Sequence, residues 1–300
     1  DAYSCTECGR CTSPCPANAT GKKLDPRRIG MGVREHLAHK DPGLSLHENT
    51  ITAQELWACT TCAACLDACP IFIEQLPIIT DMRRHLVLME GKLPEEASNA
   101  LRNIETQENP WGISGEQREK WMEVLAKDGI IVPRITPDHP VEILLWVGCA
   151  SALDERSKKI IQSLCKILTH AGVSFGVLGK EEACTGDPAR RMGNEYLFQT
   201  MATKNTQTLN QYRYEKMLTT CPHCFNTFKN EYPDFDAHFE VIHHTEFLMT
   251  LVREGKLTIT KEIQKRFTYH DPCYLGRYND VYDAPRNILK LIPSAETSEM

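Results

Sequence analysis

The sequence predicts an α+α/β chain: a helical segment organised around two cysteine loops, followed by a parallel-sheet α/β domain. Three observations carry this expectation. Cysteine occurs 14 times in 300 residues, and eight of these fall in two short runs in the first quarter of the chain. Pro133, Pro137 and Pro140 interrupt the chain within eight residues. Beyond them, strand-like and helix-like stretches alternate. The length accommodates about two domains, and a composition of 41% hydrophobic and 25% charged residues is that of a globular protein. A net charge of −6 argues against nucleic acid as a partner, because phosphate contacts need a basic surface. The longest apolar run, residues 143–150, is strand-sized and falls short of a bilayer span. Asp1, not Met, opens the chain with Cys5 close behind, as an excerpt or a processed form would read.

The two runs have the same spacing. Residues 5–16 read Cys5-Thr-Glu-Cys8-Gly-Arg-Cys11-Thr-Ser-Pro-Cys15-Pro16, and residues 59–70 read Cys59-Thr-Thr-Cys62-Ala-Ala-Cys65-Leu-Asp-Ala-Cys69-Pro70. Both fit C-x₂-C-x₂-C-x₃-C-P, the iron–sulfur spacing in which the fourth cysteine ligates the other cluster. Two-residue spacers let three thiolates of one loop face a common centre, and the proline turns the chain away. This assigns Cys5, Cys8, Cys11 and Cys69 to one [4Fe–4S] centre, and Cys59, Cys62, Cys65 and Cys15 to a second. Two structural zincs or a disulfide cluster are the plainer alternatives, and a single C-x₂-C would not separate them.

The elements around these loops read as helices. Pro26 is placed to start one, with Ile29, Val33 and Leu37 on one face, and Asp41-Pro42-Gly43 to break it. Thr52 and Glu55 form a capping-box pattern leading into Cys59. Residues 74–91 and 94–108 read as two further helices, and residues 114–128 as another, with Trp121, Val124 and Leu125 apolar and Gly129 as its stop. Residues 1–130 are therefore expected to form the helical cluster domain. It resembles the helical di-cluster ferredoxin domain of respiratory iron–sulfur subunits. Residues 131–140 are expected to be a proline-rich linker, because three prolines neither continue a helix nor sit in a central strand.

Residues 141–300 then alternate. Strands are expected at 141–147, 173–178, 216–220, 239–242 and 267–270, with helices between them, which implies a parallel sheet covered on both faces. Cys149, Cys221 and Cys273 follow the first, third and fifth strands, and Cys184 lies in the loop after the second. Open α/β sheets bind ligands along that carboxyl edge. The expectation is a third site of Cys149, Cys184, Cys221 and Cys224, holding a [4Fe–4S] cluster or zinc, with Cys273 as a neighbour or a bystander. Cys165 falls on the apolar side of a helix and reads as a core residue.

Here a resemblance becomes specific. Gly148-Cys149, Cys184-Thr185-Gly186-Asp187-Pro188 with Arg190, Arg191 and Gly193, Cys221-Pro222-His223-Cys224, and His270-Asp271-Pro272-Cys273 resemble the cysteine-rich "CCG" domain. That domain occurs in heterodisulfide reductase catalytic subunits and in iron–sulfur subunits of glycolate, lactate and glycerol-3-phosphate oxidation systems. The resemblance implies an electron-transfer subunit of a respiratory-type oxidoreductase, working between a flavoprotein donor and a quinone-reactive membrane subunit. It further implies a hetero-oligomeric complex on the cytoplasmic face of the membrane, attached through a partner or a segment outside this stretch. Disulfide reduction at the third site and a purely structural zinc module are the rival expectations. The sequence departs from the motif in two places. Thr185 stands where the family has a second cysteine, which leaves a four-thiol site rather than a five-thiol one. The repeat begun at Cys273 is incomplete at Met300.

Other residues have plainer readings beside functional ones. Trp57 either lines a cluster or packs in the core. His223 either binds or tunes the third site or is an ordinary loop residue. His243 and His244 either meet a partner or cap a helix. The pairs Lys22-Lys23, Arg27-Arg28, Arg83-Arg84 and Arg190-Arg191 either steer an acidic surface or are solvated. Gly172, Gly176 and Gly179 lack the spacing of a dinucleotide fingerprint.

Overall fold

The structure is a computed structural model that describes residues 2–39, 43 and 45–300. The chain divides into two compact units: residues 1–94 together with Ala189–Glu195, and residues 95–188 together with 196–300.

The first unit is helical. Its main helices are α1 (Pro26–His39), α2 (Ala53–Ala58) and α3 (Gln75–Arg84), and α3 continues into a π-helical turn at His85–Met89. α1 has proline at its start, as expected. Its buried face is Pro26, Ile29, Gly30 and Gly32, whereas Leu37 is half exposed. The bare backbone at Gly32 explains the shift, since a Cβ there would lie 3.0 Å from the Thr50 methyl and 3.2 Å from Ile51. The expected break at Asp41-Pro42 lies outside the described residues. The capping box that opens α2 is present: Glu55 N donates to Thr52 Oγ1 and Thr52 N donates to Glu55 Oε2. Leu24, Ile29, Ile51, Leu56, Ile79 and Leu86 form the core beneath the cysteine loops.

The second unit is a parallel α/β sandwich. β1 (Val141–Trp146), β2 (Phe175–Gly176), β3 (Tyr214–Thr219) and β4 (Val241–His243) form one sheet in the order β2-β1-β3-β4 with every pairing parallel. Successive β1 side chains face opposite ways. Ile143 and Leu145 enter a core with Ile161, Leu164 and Leu168 of α4 (Glu155–His170). On the opposite side Trp146 meets Phe228 edge to face at 4.6 Å. Cys165 is fully buried in the α4 core, where burial pushes its thiol up to about 12, as a structural cysteine requires.

Three expectations change. Residues 131–140 do not form a free linker. Ile135 N donates to Val177 O at 3.0 Å and Val177 N to Pro133 O at 3.0 Å, so the proline segment covers the edge beside β2, a place that tolerates missing donors. Val132 and Ile135 are buried there. Residues 95–130 group with the sheet rather than with the cysteine loops. The reason is hydrophobic: Trp121 and Leu125 of helix Lys120–Lys127 belong to the α4 core, while Val124 stays half exposed. The fifth expected strand, β5 (Arg266–Thr268), pairs with β6 (Glu296–Ser298) in a separate two-stranded sheet. Its Arg and Thr are exposed, a composition unsuited to a buried parallel strand.

Arg83 is the buried cation of the first unit, not a solvated one. Its guanidinium donates to Leu56 O at 3.1 Å and Cys59 O at 2.6 Å, and sits 5.1 Å from the Trp57 ring centroid. Replacing it strands buried carbonyls at about 1–3 kcal/mol each. We expect Arg83→Met to lower stability by about 2–4 kcal/mol, measured as loss of helical circular dichroism at lower urea under anaerobic conditions. An unchanged midpoint would contradict this account.

Candidate metal centres

Both cysteine runs adopt the same backbone device. Glu7 and Gly9 in the first loop, and Thr61 and Ala63 in the second, are left-handed, with φ of 58°, 78°, 55° and 59°. They occupy equivalent positions on either side of the second cysteine. A left-handed residue with a Cβ costs about 1–2 kcal/mol, so its use at three non-glycine positions marks a backbone shape that both loops require. Thr61 N donates to Cys59 Sγ at 3.4 Å, and Ile73 N to Cys69 Sγ at 3.2 Å.

The loops bring their sulfurs together across the repeat. Cys15, Cys59, Cys62 and Cys65 line one cavity, closed by Leu76 and Ile79. Burial raises the Cys65 thiol to about 12, with the nearby Cys59, Cys62 and Cys15 pushing in the same direction. Burial likewise raises Cys11, with Asp25 and Cys69 adding to the effect. Cys5 is half-buried and Cys8 is exposed. Thiols this crowded cannot all ionise unless a cation neutralises them. That is the chemistry of a thiolate-bound metal centre, and a [4Fe–4S] cluster fits this donor set.

The third set meets at the carboxyl edge of the sheet. Cys149 sits in the first turn of helix Gly148–Leu153 after β1, and Cys221 caps helix Pro222–Asn226 after β3. With order β2-β1-β3-β4, the crossover from β1 to β2 and the crossover from β2 to β3 run in opposite directions along the sheet, so β1 and β3 flank the switch point where such sheets open a crevice. Cys149, Cys184, Cys221 and Cys224 line a cavity of about 250 Å³ there, with Trp111 and Trp146 also in its wall. All four are free thiols. Within the cavity the thiols pair, Cys149 with Cys184 and Cys221 with Cys224.

Donors surround these sulfurs. Gly186 N points to Cys184 Sγ and Cys224 N to Cys221 Sγ, each at 3.5 Å. The Cys224 thiol, donating to Cys221, is the main influence that brings Cys221 down to about 7. Cys149 is lowered by its bond with Cys184 and by the cation beside it. That cation is Arg118, buried, with one guanidinium nitrogen 3.3 Å from Cys149 Sγ and another 3.3 Å from Glu182 Oε1. Glu182 in turn accepts from Val147 N at 2.8 Å and Gly148 N at 2.7 Å, fixing the turn that presents Cys149. Neither Arg118 nor Glu182 has a local sequence signal, since they join the site from 31 residues before and 33 after Cys149.

Thr185 is buried with its hydroxyl 4.0 Å from Cys224 Sγ. His223 lines the cavity, with Nδ1 2.9 Å from Asp187 Oδ2 and its ring 4.1 Å from that of Tyr274. Cys273 follows β5 and does not line the cavity, although Tyr274 beside it does meet His223. His243 caps the helix His244–Arg253, with Nδ1 2.8 Å from Thr245 Oγ1. Burial lowers His243 to about 3 and His244 to about 4, so both are neutral. Among the described residues no helix is long and apolar enough to cross a membrane.

Comparison with known proteins agrees with this anatomy. The family description "4Fe-4S dicluster domain" matches residues 4–72, and "Cysteine-rich domain" matches residues 143–229 and 267–300. The chain is 42% identical to the "Probable iron-sulfur-binding oxidoreductase FadF" of Bacillus subtilis (strain 168), covering 100% of this chain and 48% of that protein. It is 40% identical to the "EtfAB:quinone oxidoreductase" of Syntrophomonas wolfei, covering 97% of this chain and 45% of that protein. It is 30% identical to a component of the dihydromethanophenazine:CoB–CoM heterodisulfide reductase of Methanosarcina mazei, covering 99% of this chain and 74% of that protein. The chain thus spans about half the length of the first two relatives. No solved structure matches it. The chain belongs to the heterodisulfide-reductase-like family of iron–sulfur oxidoreductases, in which a 4Fe-4S dicluster domain precedes a cysteine-rich domain.

Proposed function

We propose that this chain is the iron–sulfur electron-transfer part of a respiratory-type oxidoreductase, relaying electrons between a flavoprotein donor and a quinone-linked acceptor. The observation that carries the reading is the cavity in which Cys15 joins Cys59, Cys62 and Cys65. It supports two centres, Cys5, Cys8, Cys11 and Cys69 holding one and Cys59, Cys62, Cys65 and Cys15 the other. Cys149, Cys184, Cys221 and Cys224, which line one cavity, hold a third, a [4Fe–4S] cluster by analogy with the iron–sulfur relatives, with zinc as the alternative. When bound, such a cluster takes up and gives back one electron with little rearrangement. The chain's own part is positional and electrostatic. Left-handed Thr61 aims its amide at Cys59 Sγ, and Arg118 places a positive charge against Cys149, which favours the more negative, reduced state of whatever the thiolates hold.

The relative named EtfAB:quinone oxidoreductase supports the quinone-linked acceptor, and the family resemblance supplies the flavoprotein donor. A hetero-oligomeric complex on the cytoplasmic face of the membrane, reached through a partner or a further segment, follows from the same reading. Disulfide reduction at the third site is less well supported. Thr185 offers its hydroxyl where a fifth thiolate would be needed.

Two measurements test this. Anaerobic reconstitution should give about 12 iron atoms per chain and no zinc bound to sulfur, with reducible [4Fe–4S] signals by EPR. Cys69→Ser should alter the same signal as Cys8→Ser, and Cys15→Ser the same signal as Cys62→Ser. Fewer than two reducible centres would sink the proposal. Arg118→Met should shift the potential of the third centre in the negative direction by on the order of tens of millivolts, and Arg118→Lys by less. An unmoved potential would remove Arg118 from the tuning role.

A further inference from the structure

A further constellation of metal-ligating groups lies in the first unit and uses no cysteine. The side chains of His47, His85 and Glu90 bring three ligand atoms within 4.8 Å of one another. His47 Nε2 lies 3.2 Å and His85 Nε2 3.0 Å from the same oxygen, Glu90 Oε1. Two nitrogens and one oxygen bound tetrahedrally at ~2.0–2.2 Å stand about 3.3–3.5 Å apart. The observed separations fall within a few tenths of an ångström of that.

The backbone explains the convergence. His85 and Glu90 are five residues apart, and on an α-helix such a pair diverges by about 140°. The chain instead makes a π-helical turn over His85–Met89, whose i→i+5 repeat stacks Glu90 under His85. Such turns are rare and concentrate at functional sites. His47 is oriented separately. Its Nδ1 lies 2.8 Å from Ser45 Oγ, so the other ring nitrogen is the one presented to Glu90. Outer-sphere fixing of the distal nitrogen is how metal-binding imidazoles are held. Lys92 Nζ takes the second carboxylate oxygen at 2.8 Å. A cavity of about 470 Å³ lined by Ser45, His47, Asp81 and His85 adjoins the group, leaving room for water in the remaining coordination positions.

We propose that His47, His85 and Glu90 bind a divalent first-row metal ion, with zinc as the ion best suited to two imidazoles and one carboxylate, independently of the cysteine centres.

The test uses the anaerobically prepared full chain with its cysteine centres loaded with iron and sulfide. Zinc is the probe, followed by equilibrium dialysis and by X-ray absorption at the zinc edge. The wild type should take up one equivalent of zinc with only nitrogen and oxygen in the first shell. His85→Ala and Glu90→Gln should each weaken zinc binding at least about 100-fold, beyond the 10–100-fold of an outer-sphere loss, with iron content unchanged. Ser45→Ala should weaken it roughly tenfold, and Lys92→Ala should strengthen it by removing a competing cation. No zinc uptake, sulfur in the first shell, or variants that bind like the wild type would each overturn the proposal. If a ligand variant loses iron as well as zinc, Ser45→Ala and Lys92→Ala decide the matter. Opposite shifts in affinity uphold the site, and no shift refutes it.

Discussion

A buried thiol is easy to accommodate, while several buried thiolates side by side are not. Desolvation raises each thiol, and every neighbouring sulfur that ionises raises the rest, as Cys65 among Cys59, Cys62 and Cys15 illustrates. Much of the architecture around the loops answers that conflict. Thr61 accepts a left-handed backbone and donates its amide to Cys59 Sγ. Arg83 ties the carbonyls on either side of Trp57 and Ala58, so the second loop is held at its entrance. A multinuclear cation bound by the sulfurs would complete the same electrostatic balance.

The α/β unit meets the same conflict differently. Its sulfurs come from separate segments that the parallel sheet delivers to one crevice. The charge is managed by a buried pair, with Arg118 facing Cys149 and Glu182 facing both Arg118 and two amides of the turn before Cys149. Buried ion pairs seldom add much net stability. Here the pair is better understood as a positioning device. It fixes the Gly148 turn, where φ is +77° and an added Cβ would lie 3.7 Å from Cys224 Sγ.

How much of this can be read beforehand differs by element. The cysteine spacing, the Thr52–Glu55 capping box, the alternation after residue 140 and the core role of Cys165 all rest on interactions within a few residues, and all are legible. The unit boundary is misread for a definite reason. Proline content argues against regular structure but says nothing about docking, and the segment around Pro133 docks on the sheet edge through carbonyls that proline retains. Arg118 is hidden because its partners are distant in sequence, and an isolated arginine looks like surface. The His47–His85–Glu90 group is hidden because a π-turn breaks the 3.6-residue periodicity that a reader uses to decide which side chains meet.

The chemistry is written in the residue order: which atoms bind, at what short-range spacing, and on what kind of scaffold. Ligand spacing and secondary-structure period are local properties of a chain, so they survive without the fold. The company those atoms keep comes from folding. Which cation faces Cys149, how Glu182 fixes the turn before it, and where the segment around Pro133 docks all depend on how apolar surfaces pack over long separations in sequence.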